Sequence, residues 1–144
     1  MSEQPKKKKK KYKLGITVKA KKKRAVARGV IRKGTGKIRI NKRIIDVIEP
    51  VQLREMLFEP LWIAGPLAKE VDIEISTHGG GYMGQGIAAR SAIAKALVEY
   101  HNDEKLKRQF LDYDRLLLVD DVRRKEAKKP LGTGARKHKQ KSKR

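Results

Sequence analysis

Apolar and polar residues alternate most regularly over Val71-Asp72-Ile73-Glu74-Ile75-Ser76, the period of a strand with one buried face. Gly79-Gly80-Gly81 ends that pattern, and from about Gly84 to Tyr100 the spacing becomes helical. Ser91, Lys95 and Glu99 line one side of this helix, with Ala89, Ile93, Ala96, Leu97 and Tyr100 roughly opposite; its small residues predict close packing on a sheet. Upstream, Val26, Val30, Ile38 and Ile40 alternate with Arg28, Arg32, Lys37 and Arg39, which predicts two short strands around a reversal at Gly34-Thr35-Gly36. The basic residues of these strands read either as a solvated sheet face or as an RNA-facing strip. Asn41-Lys42-Arg43 reads as a tight turn, followed by a short helical or extended piece from Ile44 to Ile48. Pro50 opens a helix from Val51 to about Phe58, with Leu53, Met56 and Leu57 on one face, and Pro60 and Gly65-Pro66 bracket Leu61 to Ala64. A charged helix from Asp103 to Leu111 precedes the apolar run Leu116 to Val119, which reads as a last strand.

Length changes this picture little: 144 residues, 38% of them apolar, suit one domain with a modest core. Charge changes it more, because 38 Lys+Arg face 16 Asp+Glu for a formal net charge of +22. Residues 1–24 hold 12 basic side chains against Glu3 alone, and residues 123–144 hold 11 against Glu126 alone, while the 98 residues between them are nearly neutral. The expected organisation is therefore an extended basic arm over 1–24, a globular body over 25–122 and an extended basic tail over 123–144. Like-charge repulsion and the shortage of apolar groups keep such arms from ordering without a polyanion. No apolar run reaches the roughly 18 residues of a membrane span, and no apolar segment follows the basic N-terminus as in a secretory signal, so a soluble, intracellular protein is expected. The absence of cysteine excludes disulfides, thiolate metal sites and cysteine nucleophiles.

Enzymatic chemistry finds little support. Gly79-x-Gly81-x-x-Gly84 matches the dinucleotide-binding fingerprint in form, but no second parallel strand with a terminal acid follows the helix to complete that site. The same glycines and helix N-terminus would admit any phosphate, including one in RNA, or would simply make a tight strand-to-helix turn. His78, His101 and His138 lack metal-ligand spacing, and neither Ser76 nor Ser91 sits in a Gly-x-Ser-x-Gly elbow. No catalytic residue, metal ligand or cofactor is assigned. With aromatics at 5% and only Tyr12 in an arm, base stacking is a poor main mode. Lys and Arg in Gly-containing arms suit phosphate recognition instead, where affinity comes from counterion release. Fully extended, the tail after Val122 would span about 70 to 80 Å at ~3.3 to 3.6 Å per residue.

Several separated motifs carry a family resemblance: Gly36-Lys37-Ile38-Arg39-Ile40-Asn41, Ile48-Glu49-Pro50, Leu57-x-Glu59-Pro60, Gly79-Gly80-Gly81 with Gln85, and Arg90-x-x-Ile93-x-Lys95-Ala96-Leu97. Tyr113-Asp114-Arg115, Leu117-Leu118-Val119-x-Asp121-x-Arg123-Arg124, Lys128-Lys129, Gly134-Ala135-Arg136 and Gln140 to Arg144 continue in the same order. Together they resemble the universal small-subunit ribosomal protein family numbered nine, in its archaeal and eukaryotic branch. The resemblance implies a non-enzymatic constituent of the cytoplasmic small ribosomal subunit, with a single α+β domain of split β-α-β type, helices on one sheet face, and extended basic arms. It implies as partners small-subunit ribosomal RNA, peptidyl-site tRNA and neighbouring proteins of the subunit head, and no membrane. Carried over by position, Lys143 and Arg144 would contact tRNA. Arg123, Arg124, Lys128, Lys129, Arg136, Lys137, Lys139 and Lys141, with Gly79, Gly80 and Gly81, would contact ribosomal RNA. A chromatin-like protein that coats nucleic acid without a fixed partner is the alternative, and a small nucleotide-binding enzyme a weaker one. Asn41-Lys42 departs from the family's usual Asn-Gly and lacks the glycine that most easily takes positive φ in a type I′ turn. Leu131-Gly132-Thr133-Gly134 likewise stands in place of a Gly-Gly-Pro-Gly run.

Overall fold

The computed structural model describes residues 15–130 and 132–136. Along the chain run β1 (Ile16–Lys22), β2 (Ala25–Lys33), β3 (Ile38–Ile40), β4 (Arg43–Ile44), α1 (Val51–Ala64), β5 (Val71–His78), α2 (Tyr82–His101) and α3 (Glu104–Tyr113), an α+β order. The strands form one mixed sheet in the order β1-β2-β5-β3-β4, with β5 antiparallel to β2 and parallel to β3.

Alternation explains the sheet. Val71, Ile73 and Ile75 of β5 are buried with Ile31, Ala27 and Ala25 of β2 and Val18 and Ala20 of β1, and α2 packs over them. The inner residues of β1 and β2 are small, and Gly29 lacks the Cβ that would stand 3.1 Å from Val18 Cγ2. Ala88, Ala89, Ala92, Ala94 and Ala96 of α2 are fully buried, so helix and sheet approach closely. On its far side α2 meets α1, where a Cβ on Gly86 would lie only 2.0 Å from Leu53 Cδ1. Each large buried side chain here, such as Ile73, Ile93, Leu97 or Phe110, contributes on the order of 1.5–3 kcal/mol of transfer free energy.

Five expectations change. Residues 16–22 belong to the sheet rather than to a free arm, because β2 supplies β1 with a full antiparallel ladder from Ile16↔Ile31 to Lys22↔Ala25; residues 1–14 lie outside the described residues. β2 and β3 do not pair with each other across Gly34–Gly36, since β5 inserts between them. The buried face of β2 is Ala25-Ala27-Gly29-Ile31, and Val26 and Val30 share the open face with Arg28 and Arg32. Helix α1 runs through Pro60 to Ala64, as burial of Pro60 and Ala64 outweighs the lost backbone hydrogen bond, and ends at Gly65 with φ 56°. Leu116–Val119 is not a strand: the Asp114 carboxylate accepts from Leu116 N and starts a 3-10 turn over Arg115–Leu117.

The Asn41-Lys42 turn takes type I′ geometry despite the missing glycine. Ile40 pairs with Arg43 across a two-residue loop whose φ values, 48° and 69°, are both positive, the type I′ signature. At the other end of the sheet, Asp72 accepts from Thr35 N and Lys37 N, and these backbone donors hold its carboxyl below the usual carboxylate range.

Candidate nucleic-acid interface

The basic C-terminal segment is fixed to the body by two adjacent acids. Asp121 forms a parallel bridge with Lys22; its backbone N donates to Lys21 O, and its carbonyl accepts from Lys23 N at 2.7 Å. Its side chain, only 4% exposed, meets Lys22 Nζ at 2.9 Å and Arg123 through Nε and Nη2 at 2.9 and 2.8 Å. Asp120 accepts from Lys95 Nζ at 2.6 Å and from Lys21 N at 3.0 Å, and Lys95 also donates to Lys19 O. The segment thus leaves the body between β1 and α2 along a defined direction. Beyond it, residues 122–130 are all exposed and, apart from a turn at Pro130, carry no secondary structure.

Beside this anchor lies the glycine turn. Gly79 and Gly80 have φ of 75° and 63°, and a Cβ on Gly79 would stand 2.6 Å from Arg24 O, so both positions require glycine for the turn itself. Gln85 Nε2 donates to Gly79 O, and Thr77, bonded to both Gln85 and Asn41, joins the turn to the end of β3. Gly81 is different: nothing lies within 4 Å of where its Cβ would be. It precedes α2, whose first N–H groups receive no side-chain cap from Gly81. A cleft of about 540 Å³ opens here between Lys22, Lys23, Arg24, Gly80, Gly81, Gly84 and Arg123-Arg124-Lys125. Helix N–H groups and surrounding cations make this a setting for phosphate oxygens.

The residues expected to contact RNA divide. Gly80, Gly81, Arg123 and Arg124 line the cleft, Gly79 belongs to the adjoining turn, and Lys128 and Lys129 lie exposed further along the segment. Arg136 turns back onto Glu126 through two hydrogen bonds, closing a loop at the surface. Lys137, Lys139, Lys141, Lys143 and Arg144 lie outside the described residues. Lys22, Lys23 and Arg24 were not singled out from the sequence as site residues; only the β1–β2 turn brings them to the cleft. Ser91 has a structural role, its hydroxyl shared between Ile87 O and Leu116 O. Among the described residues no group of three His, Asp or Glu is placed to hold a metal ion, and no helix is long and apolar enough to cross a membrane.

The anchor's charge pairing carries an expected dependence on pH. Hydrogen bonds from Arg123 and then Lys22 hold the Asp121 carboxyl far below the ordinary carboxylate range. A carboxylate depressed in the folded state stabilises above its unfolded pKa, and that stability drains away as pH falls through the folded value. Asp121→Asn is therefore expected to melt lower at neutral pH and to lose part of the acid-side slope of melting temperature below about pH 4. A variant whose acid slope matches the original would show that Asp121 does not hold the segment.

Comparison with known proteins agrees with this architecture. The chain matches the Ribosomal protein S9/S16 family over residues 20–144. It is 50% identical over 122 residues to the small ribosomal subunit protein uS9 of Picrophilus torridus, covering 85% of this chain and 92% of that protein. It is 47% identical over 123 residues to the uS9 of Halobacterium salinarum, covering 85% and 93%. Both organisms are archaea, in keeping with the branch that the motifs indicate. With the match running from inside β1 through the anchored segment to the last residue, the chain belongs to the ribosomal protein S9/S16 family.

Proposed function

We propose that the chain is a non-enzymatic structural constituent of the small ribosomal subunit, binding ribosomal RNA and contacting peptidyl-site tRNA. In this reading Arg124, Lys128, Lys129 and the free donors of Arg123 and Arg136 follow the RNA, with Lys137, Lys139 and Lys141 beyond them. The glycine turn and α2 N-terminus at Gly81 receive an RNA phosphate, and Lys143 and Arg144 reach the tRNA. Neighbouring proteins of the subunit head complete its surroundings. The observation that supports this best is the Asp120-Asp121 anchor, which gives a segment of 11 basic residues a fixed point of departure. A purely solvated tail would have no use for so many bonds at its root.

Removing Lys143 and Arg144 is expected to weaken tRNA retention in the peptidyl site of assembled subunits while the protein still co-sediments with the small subunit through a moderate salt wash. Undiminished tRNA retention would reject the tRNA contact. Loss of co-sedimentation by the full chain under the same wash would instead favour an unspecific nucleic-acid coat.

A further inference from the structure

We propose that the open face of the sheet, opposite α2, is a second surface for RNA phosphates, separate from the C-terminal segment. The register assembles it. Lys19 of β1 stands directly opposite Arg28 of β2, which stands opposite Ser76 of β5. The adjacent row runs Thr17, Val30, Glu74, Arg39 and Ile44, and Arg32 faces Asp72 in the row beyond. Lys19, Arg28, Arg32 and Arg39 are all exposed.

Lys22, Lys95, Arg90 and Arg123, which tie elements of the fold together, each meet a carboxylate. None of the four on the open face is in an ion pair among the described residues. Two carboxylates share this face, Glu74 directly opposite Arg39 and Asp72 with one oxygen committed to Thr35 N and Lys37 N, so the four cations outnumber the acids beside them. Like charges placed directly opposite on a sheet destabilise it, so the Lys19–Arg28 pair is a cost that an anion between them would relieve. Lys42 adds to this. It borders a hollow of about 520 Å³ with Arg28, Glu74 and Ser76. Charge complementarity therefore selects a polyanion, and the chain's family makes that polyanion RNA.

The proposal rests on the reading of the chain as an RNA binder, and the test separates the two. Full chains carrying Lys19→Thr, Arg28→Thr and Arg32→Thr together are compared for binding to small-subunit ribosomal RNA with chains carrying Lys105→Gln, Lys107→Gln and Arg108→Gln on α3. The charge removed is the same, and threonine suits a strand. The sheet variant is expected to bind roughly a hundredfold more weakly near 0.1 M salt, with a salt slope shallower by about two to three, and the α3 variant to lose far less. Its melting temperature should hold or rise, because the opposed cations are gone, so a loss of binding cannot be assigned to unfolding. Equal losses in the two variants would overturn the proposal. So would unchanged RNA binding accompanied by lost binding to polyglutamate, which would assign the face to an acidic protein. If the original chain itself binds RNA without salt dependence, the functional reading fails first.

Discussion

Affinity of the full chain for small-subunit ribosomal RNA should fall roughly a thousandfold or more between about 50 and about 200 mM salt, if about six to ten phosphates are neutralised. Residues 123–144 carry 11 basic side chains against one acid, and that acid, Glu126, is committed to Arg136. Arg123 is committed in part to Asp121, which leaves Arg124, Lys125, Lys128 and Lys129 as exposed cations of the described segment. Condensed counterions released from RNA by such residues provide the binding free energy, and added salt removes it. The anchor should not weaken in parallel, because the Asp121 side chain is 4% exposed and is screened far less than a surface pair. Melting curves across the same salt range should therefore barely move while filter-binding affinity collapses. An affinity that ignores salt would contradict phosphate recognition, and a fold that melts with salt would contradict the buried anchor.

The second large effect is expected at Arg90. Its guanidinium, 12% exposed, bonds Glu59 of α1 and lies 3.0 Å from Asp114 at the end of α3, and its carbon Cζ stands 6.0 Å from the Tyr113 ring centroid. One side chain of α2 thereby ties both other helices. Arg90→Met removes the cation and leaves two largely buried carboxylates without compensation, at a cost of about 3–5 kcal/mol. For a domain of this size that is a fall of roughly 10 to 20 °C in melting temperature. Adding Glu59→Gln and Asp114→Asn to the same chain should recover part of the loss, since neutral amides need no counter-charge and asparagine can still accept from Leu116 N. A single Arg90→Met variant that melts within a few degrees of the original would mean that the tie contributes little.

These residues also show where sequence reading succeeds and where it stops. β5 and α2 are legible because Val71, Ile73 and Ile75 alternate without interruption and the glycines at 79–81 mark the change of period. β1 is not, because its two buried residues, Val18 and Ala20, stand among Lys19, Lys21, Lys22 and Lys23, and charge hides a strand whose partner is the following segment. Pairing between β5 and β2 joins residues 38 to 52 apart and leaves no local trace, so a hairpin of β2 and β3 is the natural but incorrect expectation. Of the motif residues, Arg90 proves to pair with both Glu59 and Asp114, and Asn41 and Gln85 to brace Thr77 and the glycine turn. Their spacing marked the family while saying nothing of these contacts. The composition of the segment from Arg123 onward was plain from the sequence, but its attachment was not: Asp120 and Asp121 look like ordinary surface acids until Lys22 and Lys95 arrive from other elements.

That attachment sets an order of events. The bond from Lys21 N to Asp120 spans 99 residues, so it closes a loop containing every strand and helix after β1. Closure of so long a loop brings no compensating contact until β1, β2, β5 and α2 are already in place. During synthesis from the N-terminus, the anchor can form only after the rest of the domain is complete. The segment is then aimed last, and an incompletely folded chain presents its cations without a direction. Arrival of the basic segment at one defined place on the surface is thus a physical record that folding has finished.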